Sequence, residues 1–253
     1  METDNDMKKP ILTGDGSQTF FSEKFGQIYH SKSGGVEECR EKFVMPCLEL
    51  KERKEKRWNE EKKENSGKDR DKKKNGRWIP RILDICYGLG YNSAAALDIL
   101  GDSEILGLED DIVIIRAAKD INPGFKSYHL IKELAASDDL QVSSGRSSIK
   151  VLLGDARVTI KRLIKDCGAR NSGRKFDIVF LHSFSIKACP ELWDQEFIND
   201  IYSVMAEDSI LTTYACAKVI RERLSAAGFT VRDGPVIGRR APGTVAEKRS
   251  SRI

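Results

Sequence analysis

The stretch Arg81-Ile82-Leu83-Asp84-Ile85-Cys86-Tyr87-Gly88-Leu89-Gly90-Tyr91-Asn92, with the Ala-rich run to Leu100, constrains the fold more than any other part of the chain. Ile82 to Ile85 is an apolar run of strand length. Gly88 and Gly90 permit a tight turn, and Ser93-Ala94-Ala95-Ala96-Leu97 begins a helix. That order suits a nucleotide-type cofactor, because bare glycine backbone lets a ligand approach closely. The third glycine of a dinucleotide fingerprint and the Gly-Lys-Ser/Thr of a triphosphate loop are both missing.

Apolar runs and helical periods alternate from Arg81 onward. The runs are 82–85, 104–108, 149–153, 176–181 and 209–214, with helical stretches near 92–100, 111–136, 156–167, 194–206 and 217–227. Such alternation predicts an α/β fold with a mostly parallel sheet and helices on both faces. Two further strands, 229–232 and 244–247, close the chain with no helix between them and predict an antiparallel hairpin at the sheet edge. Before all of this, Asp15-Gly16 between short β-prone pieces signals a small N-terminal β element. A helix is expected from about Val36 to Leu50, with Phe43, Val44, Cys47 and Leu48 as its apolar stripe.

In a sheet of this kind a ligand lies over the C-terminal ends of the strands. Asp84, Tyr87, Gly88, Gly90 and Asn92 belong to the end of the first strand and its turn. Glu109 ends the second strand, about twenty residues after the turn, where an acidic side chain can accept both ribose hydroxyls. Asp155 follows the third strand, where a carboxylate can accept from an exocyclic amine. Their joint placement selects S-adenosylmethionine (SAM) among nucleotide cofactors, although each acid taken singly could serve as a helix N-cap. His182 follows the fourth strand, in the usual place of a catalytic group.

The chain is long enough, at 253 residues, for one large domain or two small ones. We read 1–50 as a tail, β-hairpin element and helix, 51–78 as a charged and flexible insert, and 79–253 as the cofactor-binding domain. The insert has 13 Lys and Arg against 7 Asp and Glu, a surplus of 6 within a net charge of +4, so the remainder carries −2. This composition suits a solvated arm, and a basic arm can also meet phosphate backbone. The sequence offers no apolar run of membrane-spanning length and no signal-peptide core, so a cytoplasmic protein is expected. Six cysteines without a C-x-x-C pair read as reduced thiols. His30 and His129 have no further ligand candidate at workable spacing, and no metal is expected.

Several motifs occur together in one order. They are Asp15-Gly16-Ser17-x-Thr19, Tyr29-His30-Ser31, the 82–92 turn, Phe184-Ser185 followed by Pro190-Glu191-Leu192-Trp193, Thr213-Tyr214, Arg221 through Gly228-Phe229, and Gly238-Arg239-Arg240 before Thr244-Val245-Ala246. The set resembles the MnmC-like family over residues 11–50 and 79–248. These are methyltransferases that form 5-methylaminomethyl-2-thiouridine at the tRNA wobble position. The resemblance implies a Rossmann-like class I SAM-dependent fold with a small N-terminal β extension, and methyl transfer to a primary amine on the tRNA anticodon. It implies substrate contacts from Phe184, Trp193, Arg239 and Arg240. Some relatives carry a fused flavin oxidoreductase; a stand-alone transferase is expected here, with a separate enzyme supplying the amine.

One departure bears on chemistry. The family pattern Asp-Ala/Gly-Phe-Ser/Ala-Pro, whose Asp takes the proton from the amine, here reads His182-Ser183-Phe184-Ser185-Ile186. An imidazole can accept a proton, but it offers no fixed negative charge to an ammonium. His182 is therefore the catalytic candidate. Two alternatives stay open: a catalytically altered SAM- or tRNA-binding module, and a methyltransferase on another RNA or a small amine.

Overall fold

The computed structural model describes residues 9–65, 77–169, 174–237 and 241–250. Most of the basic half of the insert, residues 66–76, lies outside them, as do Arg239 and Arg240.

Two small hairpins lead the chain: β1 (Ile11–Leu12) with β2 (Gln18–Thr19), and β3 (Phe21–Ser22) with β4 (Gln27–Ile28). The Asp15-Gly16 turn also has a tertiary task. Asp15 accepts from Ser17 N at 3.0 Å and Thr13 Oγ1 at 2.7 Å, and from Glu37 N at 2.9 Å across to the next helix. A side chain at Gly34 would collide with that carboxylate, its Cβ falling 2.6 Å from Asp15 Oδ2.

The predicted helix forms as one helical run with an irregular middle. It comprises α1 (Gly35–Glu38), a π turn (Cys39–Val44), a 3-10 turn (Met45–Cys47) and α2 (Leu48–Asn65). Pro46 has no N–H to give to the carbonyl four residues back, so the ladder changes register there. The insert continues α2 through residue 65. Arg53 and Arg57 pair with Asp208, Lys54 with Asp177 and Arg77 with Glu55.

Then follow β5 (Arg81–Ile85), α3 (Tyr91–Leu100), β6 (Glu104–Glu109), α4 (Ile112–Ala117), α5 (Tyr128–Ala136), β7 (Gln141–Ser144), β8 (Ser147–Leu153), α6 (Ala156–Ala169), β9 (Phe176–Leu181), α7 (Gln195–Val204), β10 (Met205–Thr213), α8 (Lys218–Ala226), β11 (Thr230–Asp233) and β12 (Thr244–Lys248). The eight strands of the main sheet run β11-β12-β10-β9-β5-β6-β8-β7. The five from β10 to β8 are parallel, and the expected closing hairpin forms the antiparallel edge with β12 between β10 and β11. Two details differ from expectation. The helix expected over 111–136 is broken around Asn122-Pro123-Gly124 into α4 and α5, and β7 adds a second antiparallel edge through a turn at Gly145.

Side-chain alternation divides the apolar surface between the two faces. Ile82, Ile178 and Phe180 pack with α3, α5 and the π turn. Leu83, Ile85, Val179 and Leu181 pack with Ile160 of α6 and Phe197 and Ile201 of α7. Asp84 is the polar exception, fully buried in the central strand. It accepts from Ser93 Oγ at 2.7 Å and Asn92 Nδ2 at 3.3 Å, tying β5 to the first turn of α3.

Gly90 opens α3 at φ 71°, and a Cβ there would sit 2.7 Å from both Ile131 Cγ2 and Tyr87 Oη. Left-handed strain and overpacking add at this position. Gly90→Ala should therefore cost about 2–4 kcal/mol of stability, read as a fall in Tm of roughly 5–10 °C by calorimetry.

Candidate functional site

Two cavities open at the C-terminal ends of the parallel strands and share a wall. The smaller, about 220 Å³, is lined by Cys86 after β5, Leu108 and Glu109 of β6, Gly154 to Arg157 after β8, and Phe184, Cys189 and Leu192 after β9, with Lys24, Phe25 and Tyr29 from the N-terminal hairpin. The larger, about 690 Å³, lies on the other side of Tyr29, His182 and Phe184. Its walls include Gln27, His30, Lys32, Glu38, Ser185 and Tyr214. Phe184 stands at the centre of the dividing wall, its ring 4.7 Å from Phe25 and 5.0 Å from Tyr29.

The β3–β4 hairpin covers the smaller cavity and is fastened to the strand ends by three residues. Lys24 pairs with Asp110 at 2.6 Å, the Tyr29 hydroxyl donates to Asp111 at 3.0 Å, and Gln27 exchanges two hydrogen bonds with Ser185. Sequence reasoning assigned no site role to Lys24, Phe25 or Gln27, because it gives no sign of which edge a short hairpin will fold against.

Glu109 lines the small cavity where expected. Its Oε2 accepts from Gly88 N at 2.8 Å, and its Oε1 from Asp110 N and Asp111 N at 3.0 and 3.1 Å. Burial still pushes its carboxyl well above the ordinary range. Asp155 is also at the wall, but it caps α6 through Arg157 N at 2.9 Å and binds the Arg157 guanidinium. That guanidinium holds its pKa down. Gly88 and Gly90 shape the turn, both with positive φ, and so does Cys86 at φ 63°, where a left-handed backbone is costly.

Other residues assigned to the ligand lie behind the site. Tyr87 is 3 % exposed and packs beneath the turn, its ring against Gly90 and Gly107. Asp84 is fully buried, and burial pushes it up to about 7 despite Ser93 and Asn92. Asn92 reaches from Asp84 to His182 Nδ1 at 3.2 Å. Trp193, expected to touch substrate, is wholly buried and donates from Nε1 to the Phe184 carbonyl at 2.7 Å, bracing the loop after β9. An indole so far from solvent can position Phe184 but cannot meet an acceptor. The described part of the insert is likewise removed from the cavities, because its partners Asp177 and Asp208 sit near the starts of β9 and β10.

His182 stands at the junction of the two cavities, its backbone N–H bonded to Ile85 O at 3.1 Å. Its Nε2 lies 3.7 Å from Glu38 Oε2, and its ring packs at 4.4 Å from Phe43 and 5.4 Å from His30. Folding also gives His30 the neighbours that its spacing in sequence lacked. Ligand-type atoms of His30, Cys39 and His182 lie within 4.8 Å of one another. Both His182 nitrogens are engaged, however, Nδ1 by Asn92 and Nε2 by Glu38. Burial and His182 push the His30 imidazole down to about 3.

The carboxylates of Glu109 and Asp155 beside the apolar walls of Cys86, Leu108 and Phe184 fit the hydroxyls, amine and ring of SAM. Each Glu109 oxygen is held by backbone N–H groups, so the acid is presented ready-oriented.

A mostly parallel sheet with this strand-end site defines a Rossmann-like SAM methyltransferase. Residues 122–249, just over half the chain, match the family model described as S-adenosyl-L-methionine-dependent methyltransferase, and the chain belongs to that family. It is 29% identical over 245 residues to an uncharacterized protein of Methanocaldococcus jannaschii, covering 94% of this chain and 59% of that one. It is 26% identical over 250 residues to the tRNA 5-methylaminomethyl-2-thiouridine biosynthesis bifunctional protein MnmC of Aromatoleum aromaticum, covering 91% of this chain and 34% of that one. The crystal structure of MNMC2 from Aquifex aeolicus superposes with a TM-score of 0.69 at 29% identity, covering 96% of this chain and 71% of that one. The MnmC-like resemblance read from the motifs is thus borne out. The chain spans 59% and 34% of the lengths of the two curated relatives. Among the described residues no helix is long and apolar enough to cross a membrane.

Glu109 accepts hydroxyls best when ionised, and a carboxyl raised by burial ionises late. SAM affinity measured by calorimetry should therefore rise from about pH 5 to about pH 8. Glu109→Gln should flatten that dependence and weaken binding roughly tenfold to a hundredfold at pH 8.

Proposed function

We propose that this chain transfers the methyl group of SAM to the primary amine of a 5-aminomethyl group on (2-thio)uridine at the tRNA wobble position. The observation that carries the reading is the pair of cavities meeting at Tyr29, His182 and Phe184. Two reactants of unequal size can lie on either side of that wall with their reacting atoms in line. The smaller cavity takes the donor. The larger, open to solvent, takes a base turned out of the anticodon loop. The names of the MnmC relatives supply the acceptor class, and the oxidative half of those longer proteins is not assigned to this chain.

SAM, when bound, supplies an electrophilic methyl group on a positively charged sulfur. The residues of the chain do the positioning. Glu109 and the Gly88 turn fix the ribose end, and Asp155, released from Arg157, accepts from the adenine amine. Phe25, Tyr29 and Phe184 exclude water from the path, and His182 faces the acceptor. Holding two reactants in line accounts for much of the rate in such a displacement. Lys32 at the mouth of the larger cavity, and Arg239 and Arg240 after β11, serve as phosphate contacts. The described part of the insert points elsewhere, with Arg53 and Arg57 spent on Asp208 and Arg77 on Glu55.

Purified protein with labelled SAM should methylate tRNA bearing 5-aminomethyluridine and leave unmodified tRNA unlabelled. Nucleosides from cells lacking the protein should lose the methylaminomethyl group and accumulate the free amine. Methylation of a different RNA or of a small amine, with the aminomethyl tRNA left untouched, would refute the acceptor. SAM binding with no turnover on any of these would favour the altered binding module.

A further inference from the structure

We infer that Glu38, not His182, provides the charge that works on the acceptor amine, with His182 as the positioning residue between Glu38 and Asn92. The inference rests on the amine reading above and names the group that replaces the missing strand-end acid.

The geometry begins with Asn92. Its amide nitrogen faces the Asp84 carboxylate at 3.3 Å and also reaches His182 Nδ1 at 3.2 Å. Nδ1 is therefore an acceptor, so in the neutral imidazole the hydrogen is on Nε2, facing Glu38 Oε2 at 3.7 Å. With Nδ1 occupied and Nε2 protonated, His182 has no lone pair left to take a proton from an incoming amine. The carboxylate beyond it does have spare acceptor capacity. Glu38 is on the wall of the larger cavity, where its Oε2 accepts from Ser31 N at 3.3 Å.

The groups facing Glu38 come from three elements. His182 follows β9, His30 lies beyond β4, and Lys42 is on the same helical run. Burial alone would raise the carboxyl, yet the hydrogen that His182 Nε2 turns toward it, with the nearby Lys42 charge, holds it down at about 2. It is thus an anion at every working pH, buried where an anion acts strongly. Glu38 is buried at the end of α1 and Lys42 in the π turn that follows it.

A group so acidic is a poor proton acceptor but a good electrostatic partner. The amine enters neutral, having given its proton to solvent. Its lone pair forms the new N–C bond as the methyl C–S bond breaks, the bonding pair leaving on sulfur to give S-adenosylhomocysteine. Positive charge passes from sulfur to nitrogen, and Glu38 meets it there. The secondary ammonium then departs and equilibrates its proton with water.

The test is single-turnover methylation of an anticodon stem-loop bearing 5-aminomethyluridine, at saturating SAM, from pH 6 to 9. Glu38→Gln should slow the plateau rate roughly 100- to 1,000-fold and leave SAM affinity within about threefold of the parent. The carboxylate also stabilises the ammonium form of the bound amine and so raises its pKa. Removing the charge should move the acid limb of the rate profile to lower pH, which a structural role would not do. Glu38→Asp should keep the limb in place and lose about tenfold in rate. His182→Gln should cost less than Glu38→Gln.

A Glu38→Gln rate near the parent's with an unmoved limb would overturn the inference, as would equal loss of SAM affinity. So would stoichiometric metal in the purified protein with turnover abolished by a chelator, since Glu38 would then be serving a His30–Cys39–His182 centre. If Glu38→Gln does not fold, Glu38→Asp decides alone: an unchanged rate sinks the idea. Should the parent bind SAM yet fail to methylate the stem-loop, the acceptor reading falls and this one with it. That outcome is distinct from a working parent with an indifferent variant.

Discussion

A carboxylate in the middle of the sheet organises the rest of the site. Asp84 has no access to water and would be a liability without its two donors. Ser93 and Asn92 both sit in the first turn of α3, so satisfying the acid fixes that helix to the end of β5. Asn92 then carries the constraint sideways to His182, 90 residues further along the chain. One buried carboxyl group thus sets the glycine turn on one side and the imidazole on the other. Neither end of the chain of contacts could move alone without leaving a buried polar group unpaired.

The architecture was legible in sequence because its signals are local and strong. Apolar runs such as Phe176–Leu181 are bounded by turn chemistry, and the closing pair 229–232 and 244–247 stands without a helix between. Asn122-Pro123-Gly124 is a turn signal in its own right, but the apolar periods on either side of it run together as one helical stretch. The site was only half legible. Glu109 and Asp155 announce themselves by position after strands. Glu38 gives no such signal, for it lies in an ordinary-looking amphipathic helix 144 residues before His182, and no local pattern says which far strand end that helix will meet. Trp193 erred in the opposite way: an aromatic in a motif suggests contact with a ligand, and here the indole is spent on holding a loop.

The N-terminal segment has a similar lesson. Its hairpins are only two residues to a strand and could not stand alone. The first is held by Asp15 to Glu37 N and by the Tyr91 hydroxyl to Gln18 O; the second is held by Lys24, Tyr29 and Gln27 and in return roofs the smaller cavity. The cover of the smaller cavity and part of the wall of the larger are therefore built from residues that precede the main sheet in sequence. A cut between the two parts, as the order of motifs invites, would divide the active site.

The helical run from Gly35 to Asn65 has a consequence for the charged insert. At about 1.5 Å per residue it extends roughly 45 Å, held at one end by Asp15 beside the cavities and further along by Asp177 and Asp208 near the starts of β9 and β10. The later part of α2 therefore lies toward the starts of the strands, away from the cavities at their other ends. A group attached to its exposed face there meets solvent and not the chemistry, so this protein has a natural handle already separated from its working end.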